Sequence, residues 1–225
     1  MTESILIALN TYNGYISLLP QVWSAINNLI IPNGYTVDYI LFTEDTEDKV
    51  IEYAKNNSIT IYTSNTDFTP INGFKTNIDE INIDIEKSLK TVYRVITMLN
   101  LTLNKAIEGN YDWLLSIDGD IIPPIDGLQK LLSTGKRYIG ARVESKIVPH
   151  NYYVRPENLD ITTDIFRCII IGNCFLLSHK DTFSTPYSLD DEPIIGGPIK
   201  RCKELRKQGV RLWCHPDINC QHLVV

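Results

Sequence analysis

Strand-like and helix-like stretches alternate from the first residues onward, which predicts an α/β fold built on a mostly parallel central sheet flanked by helices. Three observations carry that expectation. Residues 4–10, 36–43 and 58–63 are short apolar runs separated by segments of helical pattern. A fourth apolar run, Trp113 to Ile117, follows a long amphipathic segment and ends on two aspartates. No internal repeat or low-complexity linker divides the 225 residues, which fit one domain with a substantial core.

Residues 4–10 are expected as the first strand. A helix over 15–29 follows, with Pro20 in its first turns, where the missing N–H does no harm. Residues 36–43 are the second strand, 45–55 a short helix and 58–63 the third strand. Residues 65–84 are polar and irregular, with Pro70 and Gly73, and a stretch that long without periodicity is often functional. A long helix is expected over 86–108, because Leu89, Val92, Ile96, Leu99, Leu103 and Ala106 recur at three- and four-residue steps and make one buried stripe.

Gly109 and Asn110 end that helix and the aspartate-bearing strand begins. Beyond Pro123 and Pro124, Ile125, Leu128, Leu131 and Leu132 mark another amphipathic helix, and 136–145 a strand. A polar segment leads into 165–178, strand material interrupted by Gly172. The last helix starts with Pro198 at its first position and stops at Gly209, with Ile199, Cys202 and Leu205 facing inward. Residues 210–215 and 218–225 close the chain as short strands around Pro216-Asp217.

The chemistry concentrates in residues 111–124, YDWLLSIDGDIIPP. Asp118 and Asp120 share strand parity, so both carboxylates can lean toward one point. Gly119 between them adds no side chain and lets a ligand approach the backbone. Hard carboxylate oxygens at a strand end suit Mg²⁺ or Mn²⁺ shared with phosphate oxygens. A bare D-x-D is also a common acidic turn; its place after a buried strand favours the metal.

Bulk composition narrows the classes. Hydrophobic residues make up 44% and charged residues 21%, an ordinary globular balance. The net charge of -6 argues against nucleic acid as a partner. Lys200, Arg201, Lys203, Arg206 and Lys207 cluster on one amphipathic helix and are expected as its solvated side. No stretch is long and apolar enough to anchor the chain in a membrane. The start MTESILIALN is unlike a signal peptide, and five cysteines form no dense framework, so a reducing cytoplasm is expected.

The order of these pieces resembles the nucleotide-diphospho-sugar glycosyltransferases of the GT-A fold, in particular the family-2-like branch. MLNLTLNKAIEGNYDWLLSIDGDIIPPIDGLQKLL keeps the spacing from Asn100 to Asp118 of that family's helix and D-x-D segment, with Leu99 in place of an arginine. IIIGNCFLLSHKDTF and PIKRCKELRKQGVRLWCHPDINCQHL are similar to its later strand and its closing segment. The resemblance implies one domain, with residues 1–124 as the nucleotide-sugar-binding half and 125–225 as a small acceptor-side lobe. It implies that Asp118 and Asp120 bind metal and donor, and that His222 completes the metal site. Asn10, Thr11 and Tyr12 would cradle the nucleotide base, with Glu44 and Asp45 near base or ribose and Asn100 among the donor-binding residues. Lys75, Lys90 and Arg94 are candidates for the diphosphate, Arg94 standing in for the missing arginine, although Lys90 and Arg94 also suit the polar face of the long helix.

The implied partners are a UDP- or GDP-sugar donor, Mn²⁺ or Mg²⁺, and an acceptor that is a glycan, protein or lipid. One departure stands out. Inverting relatives carry a Glu-Asp pair at the start of the last helix, where this chain has Gly197 and Pro198. Asp191 and then Glu192 are the candidate general bases, although they also suit a solvated acidic loop, and the stereochemistry stays open. Gly172 and Asn173 border the expected acceptor side, or form a bulge.

Other readings compete. A sugar-nucleotide nucleotidyltransferase shares the α/β plan, but NTYNGYISLLP has one glycine and no basic residue. A dinucleotide oxidoreductase lacks its G-x-G-x-x-G, and an EF-hand lacks its alternating acids. Cys214, His215, Cys220 and His222 offer a zinc alternative. An inactive relative that binds nucleotide sugar stays open because the Glu-Asp pair is absent.

Overall fold

The structure, a computed structural model, describes residues 2–43, 48–63, 85–144, 153–157, 164–188 and 197–223. Its first half is built as the alternation predicts. Strands β1 (Glu3–Thr11), β2 (Tyr35–Thr43), β3 (Thr60–Thr63) and β4 (Trp113–Asp118) are all parallel, in spatial order β3-β2-β1-β4. Helices α1 (Leu19–Asn27), α2 (Asp48–Asn56) and α3 (Ile85–Glu108) connect them.

β1 reads ESILIALNT and is buried on both faces, as a central parallel strand must be. Ile5, Ile7 and Leu9 pack with Leu19, Val22 and Ile26 of α1. Leu6 and Ala8 face the other way, onto Ile96, Leu99, Leu103 and Ala106, the stripe expected on α3. Strand parity and helix periodicity thus meet across one layer of contacts.

The second half contributes β5 (Ile121–Ile122), α4 (Gly127–Ser133), β6 (Tyr138–Ala141), β7 (Val154–Pro156), β8 (Phe166–Ile171), β9 (Phe175–His179), α5 (Gly197–Lys207), β10 (Leu212–His215) and β11 (Gln221–His222). Among the described residues the main sheet has nine strands in the order β3-β2-β1-β4-β9-β6-β10-β8-β7. Only β8 and β9 among these nine run against the others. β5 and β11 form a separate two-stranded ribbon.

Several boundaries move. The helix expected from residue 15 begins at Leu19, after a 3-10 turn at Asn13–Tyr15, with Pro20 in its first turn. The run 165–178 is two antiparallel strands that reverse at Gly172, Asn173 and Cys174. Among the described residues, the strand expected over 136–145 covers Tyr138–Ala141, and the one over 218–225 covers Gln221–His222. Arg201, expected on the solvated side of α5, is fully buried. Among the described residues no helix is long and apolar enough to cross a membrane.

Candidate functional site

β2 and β4 lie on opposite sides of β1, so the connections leave the sheet in opposite directions and open a crevice at the strand ends. Register places Asn10 beside Asp118 at that end. The chain then turns through Gly119 and Asp120 into β5. β11 pairs with β5, setting His222 opposite Ile121, while the Leu223 N–H donates to the Asp120 carbonyl at 2.8 Å.

This brings His222 Nε2 to 3.2 Å from Asp120 Oδ2. Its Nδ1 lies 2.9 Å from the main-chain carbonyl of Glu144. A carbonyl only accepts, so Nδ1 carries the proton, and a neutral ring turns the bare Nε2 toward a carboxylate oxygen. Two lone pairs face each other across a buried gap. A proton or a cation must lie between them, and metal-binding histidines are typically oriented by just such a bond from the other nitrogen. Among the described residues no three His, Cys, Asp or Glu side chains enclose an ion by themselves. Mg²⁺-like ions are seldom caged that way and usually share phosphate oxygens and waters.

Other groups hold the carboxylates. The Tyr15 phenol donates to Asp120, and burial together with that negative charge pushes its pKa far up, so it stays protonated. The Cys174 thiol donates to Asp118, and burial, then the Asp118 charge, raises its pKa well above the usual range. The Asp118 N–H donates to the Cys174 carbonyl at 3.2 Å. Gly119 lines the cleft and also serves packing. A Cβ there would lie 2.5 Å from Thr11 Oγ1 and 2.8 Å from Thr11 Cβ, so the turn closes directly on the end of β1.

The crevice is a cleft of about 420 Å³. Tyr12 and Tyr15, with ring centroids 4.4 Å apart, form one wall; Tyr12 is 39% exposed. Arg94, Val95, Met98 and Leu99 present the α3 side. Tyr153 stands edge-on to His222 at 5.8 Å, beside Gly172, Asn173 and Pro198.

The residues singled out from sequence fare differently. Asp118, Asp120, His222, Tyr12 and Arg94 all line this cleft. Asn10 lines it too, but its amide is engaged at both ends, donating to Ser116 Oγ at 2.9 Å and accepting from Thr102 Oγ1 at 2.8 Å. Thr11 is buried against Gly119. Asn100 is absent from the lining; its amide bonds both the N–H and the carbonyl of Tyr187 at 2.8 Å, as a backbone strand would. Glu44, Asp45, Lys75, Asp191 and Glu192 lie outside the described residues, as does the side chain of Lys90.

The zinc alternative fails on topology. Cys214 is buried among Cys168 and Cys202, while His222 is committed to Asp120 and Glu144. Tyr15, Tyr153 and Cys174 were not foreseen. Only the Tyr12–Tyr15 spacing, three residues apart in a turn after β1, offered a signal for one of them.

No family model matches the sequence, and no curated protein matches it significantly. Solved structures do. The mannosyltransferase PcManGT from Pyrobaculum calidifontis, in complex with GDP-Man and Mn²⁺, aligns with a TM-score of 0.60 at 12% identity, over 100% of this chain and 58% of that one. Residues 1–349 of TarS from S. aureus, in complex with UDP, align with a TM-score of 0.54 at 9% identity, over 97% and 60%. A197 from STIV aligns with a TM-score of 0.50 at 11% identity, over 100% and 87%. The chain thus spans about three fifths of PcManGT and of the TarS fragment. At these identities the likeness establishes the fold, and that fold is the GT-A type of nucleotide-sugar glycosyltransferases.

Proposed function

We propose that the protein is a metal-dependent glycosyltransferase that moves a hexose from a UDP- or GDP-sugar to a glycan, protein or lipid acceptor. The observation that carries this reading is the buried meeting of His222 Nε2 and Asp120 Oδ2 at 3.2 Å, with the ring's other nitrogen already bonded to Glu144. The neighbour in complex with GDP-Man and Mn²⁺, and the one in complex with UDP, support a nucleotide-sugar donor and a divalent ion.

Two carboxylates and an imidazole suit Mn²⁺ or Mg²⁺. Held by Asp118, Asp120 and His222, such an ion supplies Lewis-acid stabilisation to a departing diphosphate. The chain's own groups do the rest. Tyr15 and Cys174 hold the two carboxylates by donating to them. Tyr12 offers a ring face to the base, with Glu44 and Asp45 proposed near base or ribose. Val95, Met98 and Leu99 give one side of the cleft an apolar wall, and Arg94 on the same wall is proposed to meet phosphate charge. Asn10, Thr11 and Asn100 keep a place in the site as supports of its walls.

Asp191, then Glu192, are proposed as the base that takes the acceptor proton, a contribution of ~10²–10⁴ in rate. Tyr187 and Pro198, the described residues flanking that stretch most closely at the site, support this: Tyr187 bonds Asn173 and Pro198 lines the cleft. We assign residues 1–124 to the donor side and 125–225 to the acceptor side, and place the protein in the cytoplasm, where its five free thiols persist.

Calorimetry of UDP and GDP binding with and without Mn²⁺ tests the reading. The wild type is expected to bind one of them only with metal, and Asp120→Ala to weaken that binding at least ~10²-fold while keeping its unfolding temperature. Wild-type affinity in Asp120→Ala would overturn the assignment. Mn²⁺-dependent release of sugar from the donor separates a transferase from a binding protein of the same fold.

A further inference from the structure

The reversal between β8 and β9 carries a buried amide whose N–H₂ no acceptor among the described residues engages. Asn173 is 4% exposed and lines the cleft. Its Oδ1 accepts from the Tyr187 phenol at 3.1 Å. Its Nδ2, buried as well, has no hydrogen-bond partner among the described residues. A buried amide N–H₂ left without an acceptor is destabilising, and such groups persist where a ligand supplies the missing oxygen.

The orientation of that amide is fixed from behind. Arg201, fully buried on α5, stacks its guanidinium 4.3 Å from the Tyr187 ring centroid and donates to the Thr182 carbonyl at 3.0 Å. Stacked on that guanidinium, the Tyr187 ring is held in place while its phenol donates to Asn173 Oδ1. Tyr187 is itself pinned through its main chain by the amide of Asn100. The chain Arg201–Tyr187–Asn173 therefore holds Oδ1 on the Tyr187 phenol and leaves Nδ2, buried at the edge of the cleft that Asn173 lines, without an acceptor among the described residues.

We propose that Asn173 Nδ2 is the hydrogen-bond donor that grips a hydroxyl of the sugar in a nucleotide-diphosphate sugar, with Tyr187 and Arg201 as positioning residues. The inference rests on the nucleotide-sugar reading above and names the part of the donor that this residue reads. A neutral amide suits a neutral hydroxyl, whereas the diphosphate would be met by the charged groups, Arg94 and an ion that Asp118, Asp120 and His222 would hold. Asn173 is also next in sequence to Cys174, whose thiol bonds Asp118, one of the two proposed metal-binding carboxylates.

The test compares sugar-nucleotide with bare nucleotide in the same protein. With Mn²⁺ present, calorimetry measures UDP, GDP, UDP-glucose and GDP-mannose against wild type, Asn173→Ala and Tyr187→Phe. Asn173→Ala is expected to hold its nucleoside-diphosphate affinity within about twofold and to lose roughly five- to tenfold toward the sugar-nucleotide. Tyr187→Phe shifts the same ratio in the same direction, less strongly, a change that a merely structural role would not produce. Asn173→Ser, too short to reach, replaces Asn173→Ala if that variant does not fold. An unchanged ratio, or parallel loss of both ligands, overturns the proposal. A wild type that binds neither diphosphate overturns the nucleotide-sugar reading first, and this inference with it.

Discussion

Replacing Gly119 by alanine places a methyl group where the D-x-D turn meets the end of β1. The new Cβ would stand 2.5 Å from Thr11 Oγ1, 2.8 Å from Thr11 Cβ and 3.1 Å from the Asn10 carbonyl. Carbon atoms prefer about 3.5–4.0 Å, so the turn has to retreat by roughly 1 Å. Overpacking of this kind costs about 1–3 kcal/mol. In a chain of this size each kcal/mol lowers the unfolding temperature by ~2–4 °C. The same retreat displaces Asp118 and Asp120, and an error of ~1 Å in a catalytic constellation costs on the order of 10² in rate. Thermal unfolding and Mn²⁺-dependent nucleotide binding read the two effects separately. Pairing the change with Thr11→Gly removes the two closest contacts. That substitution has its own cost, about 0.5–1 kcal/mol from glycine's backbone freedom plus the loss of a buried side chain, so the quantity to read is the coupling energy of the double-mutant cycle. Wild-type stability in Gly119→Ala, or two additive changes, would refute the close packing deduced here.

Tyr15→Phe removes the phenol that donates to Asp120 and is expected to weaken Mn²⁺ binding about 10- to 100-fold, read by metal titration. Asn100→Ala deletes two hydrogen bonds to the Tyr187 main chain; denaturant unfolding should show a loss of about 2–3 kcal/mol, with Mn²⁺ affinity held within twofold. Burial pushes the Cys202 thiol to about 11 and those of Cys214 and Cys220 to about 12. In the unfolded chain such thiols ionise near ~8.5, so their contribution to stability is complete below that pH and drains away as pH rises toward the folded values. The denaturant midpoint should therefore fall between pH 8 and pH 10, and a rising midpoint would contradict it. Iodoacetamide at pH 8 should label these cysteines only after unfolding.

Much of the donor-side half was legible because its signals are local. β1 and β4 are largely apolar runs, and the α3 stripe keeps its period from Val92 to Ala106, about four turns. Asp118 and Asp120 stood out because an acidic pair rarely ends a buried strand. The second half was harder. The order β4-β9-β6-β10-β8 is set by pairings between segments distant in sequence, which no local period encodes. β11 spans two residues and carries no periodicity at all, so the neighbour of His222 was legible only through resemblance. Asparagine misleads for a related reason. Asn10 and Asn100 have the chemistry of ligand contacts, yet both spend it on main-chain or side-chain partners that only the folded chain brings near. Arg201 looked like one more cation on a basic helix face; its burial depends on Tyr138 and Tyr187, which reach it from other elements.

The Asp120–His222 contact joins positions 102 residues apart. Everything from α4 to β10 must be in place before the carboxylate finds its imidazole, so an ion captured there acts as a removable staple on the finished chain. Occupancy should then protect the whole molecule against unfolding, by about 2.7 kcal/mol at a hundredfold excess over the dissociation constant. Metal content would report on conformational integrity as directly as on readiness for catalysis.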